Sequence, residues 1–422
     1  MDRLLILPIA VALLAAAASG AAAEPSRYEL ELGADISFID ASGYETWTDG
    51  GPGKLRFDDD NDGFVLSRAF ADYKLRMLDT VDARLVAQFF DNGVGSTVDF
   101  TEAYLEWRPM TATANRYRVK LGAFYPHMSL ENSGPAWSSP YTISSSVLNT
   151  WIAEEIRIFG AEVSVSRRPQ FLGGAHTFSL QASAFYNNDP AGGLLAWKGW
   201  SAHDLQSRFG DKLPLPPLPQ IQPGMWFQRQ APFIEPYMEI DDVAGYYASG
   251  EWRYGSRLLL RLMHYDNRGD TTGFADGQYA WRTVFDHIGL QVTLPGDIGL
   301  IAQWMDGYTL MGPVINGRNV VDAGYYSEFL LLTKAFADHR LSLRYDRFEV
   351  SDHDGVPLDD NSEYGDAWTV AYQYEASRFV TLAIEWLQIE SYREAWEYFG
   401  LEEVETESQF QMSLRLRFGS GP

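Results

Sequence analysis

The sequence predicts an all-β fold, a transmembrane antiparallel β-barrel of about 16 strands. Three observations carry this expectation. Segments of roughly ten residues alternate apolar and polar side chains along nearly the whole chain, the period of a strand with one greasy face. Beyond residue 23 no stretch approaches the roughly 20 consecutive apolar residues of a membrane helix. Short turns and long loops alternate along the chain and so collect at opposite rims, as periplasmic turns and external loops do in outer-membrane barrels.

Residues 1–23 read as a cleaved signal peptide, with Arg3, an apolar run from Leu4 to Ala18 and a small-residue site at Ala21-Ala22-Ala23. Residues 24–422 then form one barrel domain. In the first strand, 28–38, Tyr28, Leu30, Leu32, Ala34, Ile36 and Phe38 oppose Glu29, Glu31, Gly33, Asp35 and Ser37. The last strand, 407–418, repeats the pattern, with Phe410, Met412, Leu414, Leu416 and Phe418 opposing Gln409, Gln411, Ser413, Arg415 and Arg417. Pairing of these two ends removes the free edge, which a lipid-embedded sheet cannot tolerate.

Between them, strands are expected at 64–77, 82–91, 98–108, 116–125, 156–166, 177–186, 243–253 and 257–265. Others follow at 282–294, 298–306, 325–334, 340–350, 365–375 and 379–389. Tight turns fall near Asp79, Pro109, Arg167-Arg168, Tyr254-Gly255, Pro295-Gly296-Asp297, Ala337-Asp338 and Ala376-Ser377. Long connections occupy 40–63, 126–155, 187–242, 266–281, 307–324, 351–364 and 390–406. The connection 126–155 is rich in Pro, Ser and Trp, with a short helix expected at 147–155.

Composition narrows the function. Cysteine is absent, which excludes disulfide scaffolds and thiol chemistry. With 57 acids against 33 bases, a net charge of −24, nucleic acid is not an expected partner. Aromatic residues make up 14% of the chain and suit girdles at membrane interfaces.

The run R-V-K-L-G-A-F-Y-P-H-M-S-L-E at 118–131, with D-D-D-N-D-G-F-V-L-S-R-A at 58–69, resembles the phosphate-selective porin O and P family of outer-membrane porins. That resemblance covers about the first 170 residues and the last strand. It implies a sixteen-stranded homotrimeric porin whose third long loop, here 126–155, folds inward to narrow the lumen. Phe70 and Asp72 interrupt the basic run that members carry in the second strand, and four residues follow Phe418.

The lumen-facing bases Arg68, Lys74, Arg76, Arg84, Arg108, Arg116, Arg118 and Lys120 come from four successive strands and form one wall. Two readings stand: a strip that guides anions, or bases that neutralise Asp72, Glu102, Glu106 and the constriction-loop acids Glu131, Glu154 and Glu155. Asp58, Asp60 and Asp62-Gly63 have calcium-loop spacing, but Ala69 stands where the bidentate Glu belongs. The seven histidines include no H-x-x-x-H pair, so no metal site and no cofactor are expected. The long external loop 187–242 holds L-P-L-P-P-L-P at 213–219 beside Trp197, Trp200, Trp226 and Phe227. Such a stiff aromatic loop is either a lid over the mouth or a surface loop packed on its neighbours.

The expected function is an outer-membrane porin for small hydrophilic solutes, anions such as phosphate among them, in contact with outer-membrane lipid and lipopolysaccharide. No enzyme is expected: His264 and His287 fall on strands, but no G-x-S-x-G elbow accompanies them for a barrel-based hydrolase. A receptor or adhesin barrel is the alternative that the long loops permit.

Overall fold

The computed structural model describes residues 27–91, 94, 98–168, 171 and 174–419; the expected signal peptide at 1–23 lies outside the described residues. Sixteen antiparallel strands close into one barrel in which every strand pairs with its neighbours in sequence order. They are β1 (Tyr28–Ser42), β2 (Gly63–Leu78), β3 (Val81–Phe89), β4 (Asp99–Trp107), β5 (Asn115–Phe124), β6 (Ile158–Arg167), β7 (His176–Tyr186) and β8 (Gly245–Tyr254). The second half comprises β9 (Leu258–Asp266), β10 (Arg282–Leu294), β11 (Ile298–Ile315), β12 (Arg318–Phe336), β13 (His339–Asp352), β14 (Glu363–Ser377), β15 (Val380–Arg393) and β16 (Val404–Gly419).

Closure runs from Glu31 opposite Gly419 to Ser42 opposite Ser408. At the seam the polar faces meet inside. Ser37 Oγ lies 2.7 Å from Ser413 Oγ and 2.8 Å from Ser67 Oγ, and Gln411 Nε2 donates to Ser37 Oγ at 3.0 Å. Their apolar neighbours Ile36, Phe410 and Met412 are exposed on the outside. This inverts a soluble sheet protein: the greasy residues are the accessible ones because the outer face meets lipid rather than a second layer.

The start of β1 and the end of β16 share one rim with the tight turns β2–β3, β8–β9, β10–β11, β12–β13 and β14–β15, and the long connections share the other. One long connection expected from sequence, 307–324, is absent. β11 and β12 instead continue to a two-residue hairpin at Asn316-Gly317, with φ of 54° and 88°. Asn-Gly is the pair that tolerates two successive left-handed residues, so the ladder runs on to the turn.

The core sits inside the barrel, in the half nearest the long-loop rim. Helix α1 (Val147–Glu155) is buried along its whole length and packs on β11, β12 and β13. Ser146 caps it by accepting from Asn149 N at 3.2 Å. Trp151 of α1 stacks edge-on against Trp200, Phe285 and Tyr325. Helix α2 (Gly193–Lys198) and the proline segment join the same core through Leu194, Trp197, Leu213 and Leu218. Leu213–Pro214 pairs with Phe233–Ile234, closing the longest loop on itself. Trp197, Trp200 and Phe227 of this loop are buried, whereas Trp226 stays exposed.

This packing corrects the expectation of polar inner faces throughout. Ile301, Met305, Val321, Tyr325, Phe329 and Leu331 point inward and are buried against the loops. On β11 and β12 the inner face in this half is thus largely apolar against the plug, while Asp306, Asp322 and Glu328 stand on the outer face.

Candidate functional site

Below the plug, toward the tight-turn rim, the lumen opens into a charged vestibule of two adjoining cavities, of about 590 and 680 Å³. The first is lined by residues including Glu29, Glu31, Asp72, Lys74, Arg84, Tyr104, Glu106 and Lys120. The second is lined by Arg116, Arg168, Arg253, His127 and the hydroxyls of β6 and β7; Arg108 and Arg118 belong to both.

The strip of bases read from sequence divides four ways. Arg84 makes a fork on Asp72, at 2.9 and 2.6 Å, and approaches Glu102 at 3.8 Å. Arg108 pairs with Asp82 and with Glu106 at 3.0 Å, and Arg118 reaches Glu162 at 3.5 Å and Ser164 Oγ at 3.2 Å. Lys74 lies 3.4 Å from Glu29, and Arg76 lies 3.7 Å from Asp82 near the rim. Lys120 sits 5.1 Å from the ring centres of both Tyr104 and Phe124. Arg116 projects into the second cavity and has no ion pair among the described residues. Arg68 is not in the vestibule at all. It is buried under the plug, donating to Gln88 Oε1 at 2.8 Å and to Ala136 O at 2.6 Å, and so anchors the inward loop.

The three loop acids do not face this wall. Glu131 is fully buried across the lumen, accepting from Arg344 Nη1 at 2.7 Å, Ser146 N at 2.9 Å and Asn149 Nδ2 at 2.9 Å. Glu154 pairs with Lys198 Nζ at 2.5 Å and His203 Nε2 at 2.9 Å. Because Leu205 N donates to His203 Nδ1 at 3.1 Å, the ring proton sits on Nε2 and points at Glu154. Burial pushes Glu154 up, but Lys198 and His203 outweigh it and hold the carboxyl at about 2. Glu155 accepts from Trp151 Nε1 at 2.7 Å and from Gly192, Leu194 and Leu195 N at 3.1 to 3.2 Å, tying α1 to the start of α2. Burial raises it to about 7 in spite of those bonds. Acid side chains of the inward loop therefore hold the plug together rather than oppose the basic wall, because each finds a closer donor within the plug or on β13.

Sequence reasoning missed the plug's anchors on the second half of the barrel. Arg344 donates to Glu131, to Ser144 O and Ser145 O at 2.9 Å, and to Asp346 at 2.8 Å. Glu385 accepts from Ile143 N at 2.5 Å and Ser144 N at 2.9 Å. Glu363 binds Lys54 at 2.5 Å, Arg393 at 3.0 Å and Trp200 N at 3.0 Å. Arg344 and Glu385 could have been read as charges on the inner faces of expected strands, whereas Glu363 falls in the connection expected at 351–364.

Asp58, the first residue of the calcium-like run, is buried and accepts from Thr46 N at 2.8 Å, Asp60 N at 3.1 Å and Asn61 N at 3.0 Å. Its oxygens thus organise their own loop. A carboxylate group that sequence spacing did not reveal, Asp189, Glu239 and Asp241, gathers at the neck of the longest loop, with oxygens within 4.8 Å of one another. Burial, and then the charges of Asp241 and Glu239, raise Asp189 to about 7.

The fold and this lumen define a sixteen-stranded closed barrel of the outer-membrane channel architecture. Among solved structures, the chain is similar to the outer-membrane channel DcaP of Acinetobacter baumannii, with a TM-score of 0.54 and 11% identity over 93% of this chain and 96% of that one. It also aligns with an anion-selective porin from Comamonas acidovorans, at a TM-score of 0.49 and 11% identity over 93% and 98% of the two chains. No protein-family model and no curated protein matches the sequence, so the resemblance to phosphate-selective porins rests on its motifs alone.

Proposed function

We propose that the chain is an outer-membrane channel for small hydrophilic solutes, anions among them, with its tight-turn rim in the periplasm and its outer half closed by its own loops. The observation that carries this reading is the division of faces: apolar side chains lie exposed around the outside, while ionised groups converge on an open vestibule within. Lipid and lipopolysaccharide cover the outer face. Homotrimeric assembly is supported by the small outward residues that line up on the first half of the barrel. Ala34 pairs with Ala69, Ala71 with Ala87, Ala103 with Ala123 and Ala161 with Ala184.

Conductance in a planar bilayer tests the reading. A channel gives stable ohmic steps, and the double variant Arg116→Glu, Arg118→Glu shifts the reversal potential in a salt gradient toward cations; an unchanged value removes the anion preference. The packed plug favours one second reading, a receptor or adhesin barrel presenting its outer loops. A bilayer that stays silent with folded protein inserted supports that reading over the channel.

A further inference from the structure

The two vestibule cavities differ electrically. In the first, Glu29, Glu31, Asp72 and Glu106 stand among the bases. The second carries Arg108, Arg116, Arg118, Arg168 and Arg253 against a single lining carboxylate, Glu251, which Arg253 and Arg261 already hold at 2.5 Å each. Two of its guanidiniums retain free donors. Among the described residues Arg116 has no ion pair, and the Arg168 guanidinium gives one bond, to Thr111 O at 2.6 Å, while its buried Nε has no partner.

Strand register arranges these groups in order. Arg116 on β5 lies opposite Ser166 on β6, Ser166 opposite Ser179 on β7, and Thr177 of β7 opposite Arg253 on β8. Arg116 and Arg118 on β5 and Arg253 on β8 thus stand on either side of a strip of hydroxyls two strands wide. At about 4.8 Å per strand interval, β5 and β8 lie roughly 14 Å apart along the wall, and the long arginine side chains reach in over the strip. Gln181, beside Ser164, extends the neutral polar surface toward the plug.

We propose that this cavity is a binding site for a hydroxylated carboxylate, a sugar acid in chemical class; as a solute site it rests on the channel reading above. A guanidinium takes a carboxylate in a fork that a compact cation cannot offer. Serine and threonine hydroxyls both donate and accept, and so match the hydroxyls of a polyol. An inorganic anion would use the arginines and leave the strip to water. The cavity, at about 680 Å³, is of ligand size.

The test is calorimetric titration of the full detergent-solubilised barrel at low ionic strength with D-gluconate, D-glucose and inorganic phosphate. Gluconate is expected to bind, with glucose and phosphate each weaker by about tenfold or more, the loss expected from a charged hydrogen-bonded contact. Arg116→Gln with Arg253→Gln weakens gluconate by a similar factor. Ser166→Ala with Ser179→Ala weakens gluconate while leaving phosphate unchanged. Absent gluconate binding, or gluconate and phosphate titrating alike, overturns the proposal on the unaltered protein, independently of how any variant folds. Bilayer recordings made in parallel separate the two readings: steady conductance without a gluconate isotherm removes the site and leaves the channel, and a silent bilayer with an intact isotherm does the reverse.

Discussion

Replacing Arg344 with alanine removes the charge on which the inward loop is docked. The side chain is fully buried and makes four bonds of 2.7 to 2.9 Å, to Glu131, Ser144 O, Ser145 O and Asp346. Three of these partners belong to the loop and one to β13. Without the guanidinium, Glu131 is left with the neutral donors Ser146 N, Asn149 Nδ2 and, at 3.5 Å, Thr142 Oγ1, and two buried carbonyls lose a donor. Breaking a buried ion pair from one side costs about 3–5 kcal/mol, because the remaining charge stays desolvated. Spread over the docked and released states of the loop, that is a shift of roughly a hundredfold to a few thousandfold, at about 1.4 kcal/mol per factor of ten. The barrel strands keep their ladder hydrogen bonds, so the loss falls on the plug. Single-channel recording of Arg344→Ala should show a large rise in open events, and limited proteolysis should cut within 131–146. A variant that stays folded on an unheated gel, yet conducts and resists protease as the unaltered protein does, refutes the assignment of Arg344 as the plug's anchor.

Further outcomes follow from the same structure. Asp189 and Glu155 both have folded values raised to about 7, from ordinary values of 3.8 and 4.5, so the docked loops hold protons that released loops give up between about pH 4 and 7. Plug stability therefore falls as pH rises through 7; conductance should increase from pH 5 to pH 8, and Asp189→Asn with Glu155→Gln should flatten that rise. Glu154, held at about 2, acts in the opposite sense only below its ordinary value of 4.5, so its contribution is lost in acid beyond this window. Gly199 has φ of 82° and ψ of −171°, and a Cβ there would lie 1.8 Å from Glu363 Oε2. Gly199→Ala should loosen the plug by more than the roughly 1–3 kcal/mol of backbone strain alone, whereas Gly255→Ala, in a tight turn with open space around it, carries only strain; equal protease sensitivity would contradict this. Leu262 is half exposed on the outer face, so Leu262→Arg should destabilise the barrel in lipid by about 2–4 kcal/mol, read from urea titration in vesicles; a neutral effect would mean that this face does not meet hydrocarbon.

Most of the strand ladder was legible because the signal is strictly local. In β1 from Tyr28 to Phe38 and in β16 from Phe410 to Phe418 every second residue is apolar, and the structure pairs the two strands in that register, from Glu31 opposite Gly419 to Ser42 opposite Ser408. The helix at Val147–Glu155 was equally local, with Ser146 ready to cap it. The β11–β12 hairpin was not read, although Asn316-Gly317 marks it, because Gly312 and Pro313 interrupt the alternation just before the turn.

The basic wall was visible residue by residue, but its use was not. Whether Arg84 is neutralised and Arg116 is left free depends on which carboxylate the strand register sets beside each, Asp72 in the one case and no acid in the other. The loop acids show the same limit more sharply, since Glu131 finds Arg344 across the lumen, 213 residues away. Period and composition by themselves determined a closed sheet with a greasy outside, because side-chain alternation is a property of neighbouring residues. Only the tertiary structure decided that the outer half of the lumen is filled and that the unmatched charges gather beneath it. Ion pairing and packing inside a barrel join residues that are adjacent only after the chain has closed.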